Sequence, residues 1–170
     1  MKIIGFVYNN GETEMVLKGD SCLLNGRKPF FTPEGTREIG ATECVILRVS
    51  RLGKGIARKF AGRYYDAVAP GVDFVALDLL REAQASGKPW TEAIAFDYSL
   101  AIGEWIAPEL LNDELVLSPE EAIERASRTM TIRQGDLIYI QRRQAPRPVQ
   151  REEVIRLEID GQEKLYCKIK

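Results

Sequence analysis

The sequence predicts a mostly β domain with short helices, an α+β arrangement whose core is carried by sheet. Three observations predict it. Short runs of β-branched and aliphatic residues recur along the chain, most of them bounded by turn residues. Only two segments carry clear helix-start signals. No repeat or low-complexity tract interrupts the pattern, and the one linker-like piece is Gln144 to Gln150, with Pro146 and Pro148.

Taken in order, Lys2 to Tyr8 reads as an apolar strand ended by Asn9, Asn10 and Gly11, and Met15 to Lys18 as a second strand. Asn25-Gly26 is a dipeptide suited to the positive φ values of a tight hairpin turn. Thr42 to Val49 is rich in β-branched and aliphatic residues, lies between Gly40 and the Arg51-Leu52-Gly53 turn, and reads as a buried central strand. Asp73 is placed to cap a helix running to about Ser86, with Ala76, Leu79, Leu80 and Ala83 at helical spacing and Gly87 ending it. Ser118-Pro119-Glu120-Glu121 opens a second helix. Ser118 caps it, Pro119 takes the first position, and Glu121 completes a capping box. Leu137 to Gln141, Val154 to Ile159 and Glu163 to Lys170 read as strands, the last two joined at Asp160-Gly161 as a hairpin.

Composition narrows the function classes. The 170 residues suffice for one domain, 1–170, with its own hydrophobic core. Hydrophobic residues make up 45% and charged residues 29%, the balance of a globular chain rather than a disordered one. The 24 basic and 25 acidic side chains give a net charge of -1, so no overall field would gather nucleic acid or an anionic membrane. No apolar run approaches a bilayer-spanning length, and MKIIGFVYNN lacks the features of a secretory leader. Cys22, Cys44 and Cys167 are odd in number and share no CxxC spacing, which argues against a disulfide framework or a zinc site. The expected home is the cytoplasm.

The run Arg48 to Trp105, RVSRLGKGIARKFAGRYYDAVAPGVDFVALDLLREAQASGKPWTEAIAFDYSLAIGEW, closely resembles the fumarylacetoacetate hydrolase family. Leu23 to Phe31, LLNGRKPFF, and Ser118 to Ile138, SPEEAIERASRTMTIRQGDLI, extend the resemblance over most of the chain. It implies a mixed β-sandwich or roll and a homodimer. Members of that family hold a divalent cation with a Glu-x-Glu pair on a strand and an Asp downstream. They work with a Lys near a K-x-F segment and a His in an N-terminal loop.

Against that pattern most of the chemistry is substituted. The Glu-x-Glu positions are Thr42 and Cys44, the Lys position before Phe96 is Ile94, and the chain contains no His. Asp73 alone keeps its chemistry. The family's T-G-T-P loop aligns with Ile140, Gln141, Arg142 and Arg143, and its A-R-D triplet has become Ala76-Leu77-Asp78. Two pocket-walling regions are cut down: the N-terminal loop at Tyr8 to Glu12 and the hairpin between Ile106 and Ser118. Glu43 is no substitute ligand, because side chains alternate along a strand and it faces away from Thr42 and Cys44. Mg²⁺ requires anionic oxygen ligands in near-octahedral geometry, which a hydroxyl and a thiol do not supply.

The plainer readings weigh against a surviving site. Asp73 serves as a helix cap, Cys44 as a buried small hydrophobe, and Tyr64, Tyr65, Trp90 and Trp105 as core or dimer contacts. The arginines Arg142, Arg143, Arg147 and Arg151 read as a solvated loop, with Arg142 and Arg143 a candidate anion site. The sequence thus predicts an inactive member of the family, holding no metal and no cofactor. Its vacated pocket is expected to be filled by Ile94 and Ile140, with Arg142 or Arg143 at the mouth. Two alternatives stay open. One is a Mg²⁺- or Mn²⁺-dependent hydrolase, decarboxylase or isomerase of small 2-oxo acids or acylpyruvates, with ligands from elsewhere in the chain. The other is an anion- or protein-binding module built on the arginine loop.

Overall fold

The computed structural model describes residues 1–110 and 114–170, and shows why a sequence dominated by short apolar runs closes on itself. The strands are β1 (Ile3–Asn9), β2 (Glu12–Lys18), β3 (Leu23–Asn25), β4 (Ile39–Val49), β5 (Tyr65–Ala76), β6 (Leu100–Ile102), β7 (Leu137–Gln141), β8 (Arg147–Pro148), β9 (Val154–Ile159) and β10 (Gln162–Lys168). The helices are α1 (Arg58–Ala61), α2 (Leu77–Ser86), α3 (Thr91–Ile94) and α4 (Pro119–Thr129). The main sheet runs β2-β1-β7-β4-β5-β6-β3, with β8 added to β4, and β9 and β10 form a separate antiparallel pair.

That order forces curvature. β2 and β3 lie at opposite edges of the sheet, six strand spacings apart, which in a flat sheet would be about 29 Å. Yet only five residue steps separate Lys18 from Leu23, a reach of at most about 18 Å. The edges therefore approach each other, linked by a short 3₁₀ turn at Asp20–Cys22 whose Ser21 carbonyl accepts from Tyr98 N at 3.0 Å. The sheet is a mixed roll, with β1 parallel to β7 and β3 parallel to β6, and the other pairings antiparallel.

The roll buries apolar side chains on both faces. On one face α4 lays Ala122, Ile123 and Ala126 against Ile4, Phe6, Val45, Leu47, Ile138 and Ile140. The helix starts as its sequence predicts: Ser118 accepts from Glu121 N, and the Glu121 carboxylate accepts from Ser118 N. A second cluster joins the β9–β10 pair to the sheet through Phe30 and Phe74, stacked with centroids 4.0 Å apart. A third, formed by Ile3, Cys44, Ile46, Ala69, Leu100, Leu137 and Tyr139, fills the face toward which the sheet curls.

Two expectations are corrected. Asp73 does not cap a helix, because β5 runs on to Ala76 and α2 begins only at Leu77. Pairing of Ile39 to Thr42 with Ala76 to Asp73 keeps this segment in the sheet, where each residue gains ladder bonds a frayed helix start could not offer. Asp78 in the first turn of α2 instead accepts from Arg37 N at 2.9 Å, and Gly87 ends the helix with φ 65°, as read from the sequence. Asn25-Gly26 turns without making a hairpin, since β3 pairs in parallel with β6. The Asp160-Gly161 hairpin forms as predicted, both residues at positive φ.

Asp136 ties the chain start to β7, accepting from Lys2 N at 3.0 Å, from Arg133 N at 2.8 Å and from the Lys2 ammonium. Burial pushes its pKa up, but these donors outweigh it and hold the carboxyl below its ordinary value. A depressed carboxylate stabilises the fold above its unfolded pKa, about 3.9, and that contribution is lost as pH falls through the folded value. Asp136→Asn is therefore expected to cost about 1.5–3 kcal/mol in urea unfolding at pH 7 and progressively less below about pH 4. A penalty that stays constant with pH would contradict this assignment.

Candidate functional site

Strand register decides which residues share the curled-in face. Thr42 is paired with Asp73, Cys44 with Gln141, Ile46 with Tyr139, and Ile3 with both Leu137 and Lys18. Because side chains alternate, Lys18, Thr42, Cys44, Asp73, Tyr139 and Gln141 all point into the roll, while Glu43, Ile140 and Arg142 point the other way. All six inward residues are buried.

Asp73 is the hub. Its Oδ1 lies 2.7 Å from Lys18 Nζ in an ion pair, and its Oδ2 accepts from Gln141 Nε2 at 2.7 Å. Lys18 also donates to Ser99 Oγ at 2.8 Å and to the Ser99 carbonyl at 3.1 Å, and its ammonium sits 5.8 Å from the centroid of the Tyr139 ring. In a flat sheet β2 and β5 would lie about 19 Å apart, so only the roll makes this pair. Gln141 further accepts from Tyr8 N at 2.9 Å, which fixes the orientation of its amide.

Apart from Lys18, the titratable neighbours of Asp73 are neutral. Burial, then the nearby Asp73 charge, pushes both the Cys44 thiol and the Tyr139 hydroxyl well above their ordinary pKa values, so both stay protonated. The Thr42 and Tyr139 hydroxyls and Asp73 Oδ1 are buried without an aligned hydrogen bond, so Oδ1 is held by the Lys18 charge alone. Gly5 makes room for Tyr139: a Cβ there would overlap the tyrosine ring.

Of the positions singled out from sequence, the fold brings together Thr42, Cys44, Asp73 and Gln141. Ile140 is buried on the other face beside Phe6 and Ile138. Ile94, at the end of α3, lines an open groove with Met15, Leu17 and Trp90, and only its carbonyl reaches the network, accepting from Ser99 Oγ at 3.0 Å. Arg142 pairs with Glu43 at 2.9 Å beside a cleft of about 280 Å³, and Arg143 donates to the Val116 carbonyl at 3.2 Å. The interior is thus filled by Lys18 and Tyr139 and not by Ile140. Residues 111–113, within the stretch where the family hairpin is cut down, lie outside the described residues.

Lys18, Ser99 and Tyr139 were not legible as site residues. Lys18 ends an apolar run and precedes Gly19-Asp20, which reads as an ordinary charged strand end. The one available signal was the hairpin register, which matches Lys18 with Ile3.

Metal binding at this place would need charged oxygens. Asp73 is the one carboxylate of the cluster and both its oxygens are engaged by protein groups, so the residues present do not fit a hard divalent cation. No group of three His, Cys, Asp or Glu side chains placed to hold a metal occurs among the described residues.

No family model matches the chain. A mouse protein, the mitochondrial oxaloacetate tautomerase FAHD1, is 22% identical over 180 residues, which cover 94% of this chain and 81% of the mouse protein. A candidate fumarylpyruvate hydrolase from Burkholderia cenocepacia superposes with a TM-score of 0.88 at 16% identity, covering 99% of this chain and 88% of that one. The fumarylpyruvate hydrolase of Pseudomonas aeruginosa, solved with Mn²⁺ and pyruvate, gives a TM-score of 0.81 at 17% identity and the same coverage. These likenesses agree with the resemblance carried by Arg48 to Trp105: the chain has the fold of the fumarylacetoacetate hydrolase family over nearly its whole length.

Proposed function

We propose that the protein is a non-catalytic member of the fumarylacetoacetate hydrolase family, retained as a folded homodimer. One observation carries this reading. At the place where the family resemblance puts a metal centre, Thr42 and Cys44 stand for two carboxylates and the remaining Asp73 is engaged on both oxygens by Lys18 and Gln141. The family's reaction needs a cation to chelate a 2-oxo acid or β-diketone and stabilise the enolate that forms. A protonated thiol and an unpartnered hydroxyl offer neither that charge nor a base matched to neutral pH.

Arg142 and Arg143 both engage protein acceptors among the described residues, which weighs against the arginine loop as an anion site. The enzyme alternative is tested directly. With Mg²⁺ or Mn²⁺ supplied, acylpyruvates, oxaloacetate and fumarylacetoacetate-like diketones are expected to turn over no faster than in a metal-only control. Robust turnover that disappears in Asp73→Ala would overturn the proposal.

A further inference from the structure

We infer that Lys18 is the resident cation of this centre, its ammonium held at the Asp73 carboxylate in the position a divalent ion would otherwise take. The inference rests on the reading of Asp73, Thr42 and Cys44 as the family's metal positions. It adds that the replacement is compensated within the chain rather than left as a vacancy.

The coordination supports it. Lys18 Nζ donates to Ser99 Oγ at 2.8 Å and to Ser99 O at 3.1 Å, and its third contact is the ion pair with Asp73 Oδ1 at 2.7 Å, an oxygen that takes no aligned hydrogen bond from any donor. The Lys18 side chain is fully withdrawn from solvent and Asp73 nearly so, so neither charge is balanced by water.

Charge makes the substitutions interdependent. Two Glu and one Asp around a doubly charged ion leave one net negative charge; one Asp beside one ammonium leaves none. A neutral pair is what a sealed interior tolerates, whereas Lys18 beside an intact metal centre would set two cations against each other. Loss of carboxylates at 42 and 44 and the presence of a lysine at 18 therefore belong to one exchange. The exchange also changes what the centre does. Lys18 closes the roll by joining edge strand β2 to β5 and to the Ser99 segment before β6, so a metal site has become a clamp.

Manganese titration tests this by calorimetry on two variants. Thr42→Glu/Cys44→Glu restores the carboxylates but keeps Lys18, and Thr42→Glu/Cys44→Glu/Lys18→Ala also removes the ammonium. The triple variant is expected to bind one Mn²⁺ at least tenfold more tightly than the double, and to lose it on Asp73→Ala. Equal Mn²⁺ affinity in the two folded variants, or none in a folded triple variant, overturns the inference. A thermal cycle with Lys18→Met and Asp73→Asn needs no metal. Each single change is expected to lower Tm by about 10 °C, and the pair by less than either alone. Additive shifts overturn the clamp. Both outcomes are distinct from the activity assay, in which turnover by the unaltered protein would instead refute the non-catalytic reading.

Discussion

Asp73→Ala is expected to lower the unfolding free energy by about 3–5 kcal/mol, the cost of leaving one partner of a buried ion pair uncompensated. A helix-capping Asp would cost only about 1 kcal/mol, so the magnitude separates the two roles. The large value follows from burial. Lys18 has no route to solvent, and the alanine would leave its ammonium with only the two oxygens of Ser99. Gln141 would lose its acceptor as well. Urea unfolding at pH 7 measures the difference, and a loss near 1 kcal/mol would show that the pair is open to water or is not formed.

The second large effect is expected at Gly5. A methyl group there would overlap the Tyr139 ring, and that ring is fully buried between β1 and β4, packed with Ile3, Cys44 and Ile46. Tight cores accept such insertions only by shifting backbone or side chains off their preferred positions, typically at about 1–3 kcal/mol. With a rigid aromatic as the obstacle, Gly5→Ala is expected at or above the upper end, about 3 kcal/mol. Tyr139→Leu in the same background should relieve part of the penalty, giving strong non-additivity. Independent penalties for the two changes would contradict the close approach.

How far the sequence could be read follows from what each residue's signal depended on. The capping box at Ser118 and the hairpin at Asp160-Gly161 rest on local chemistry, and both form as predicted. The central strand is longer at its start than its β-branched stretch suggested, because Ile39 to Ala41 are held by β5 and β8 rather than by their own propensity. The last residues of β5, from Asp73 to Ala76, carry a helix-start pattern in sequence and are strand for the same reason. Pro70, Gly71 and Asp73 are poor strand formers, and only pairing on both sides, with β4 and β6, keeps them extended. At the site, Thr42, Cys44 and Asp73 were legible through their positions in the family pattern. Lys18 was not, because its partner is 55 residues away and lies on the far side of a curl that no local signal specifies. The loop motif places Ile140 in the pocket, whereas strand alternation in β7 turns Tyr139 and Gln141 inward and Ile140 outward.

In the proposed exchange, the Lys18 ammonium stands at Asp73 in place of a metal ion. Calorimetric titration of the unaltered, metal-free protein with Mn²⁺ tests it most directly. No saturable binding is expected up to millimolar metal, with the same flat trace for Asp73→Asn. Stoichiometric Mn²⁺ uptake by the unaltered protein, abolished by Asp73→Asn, would contradict it.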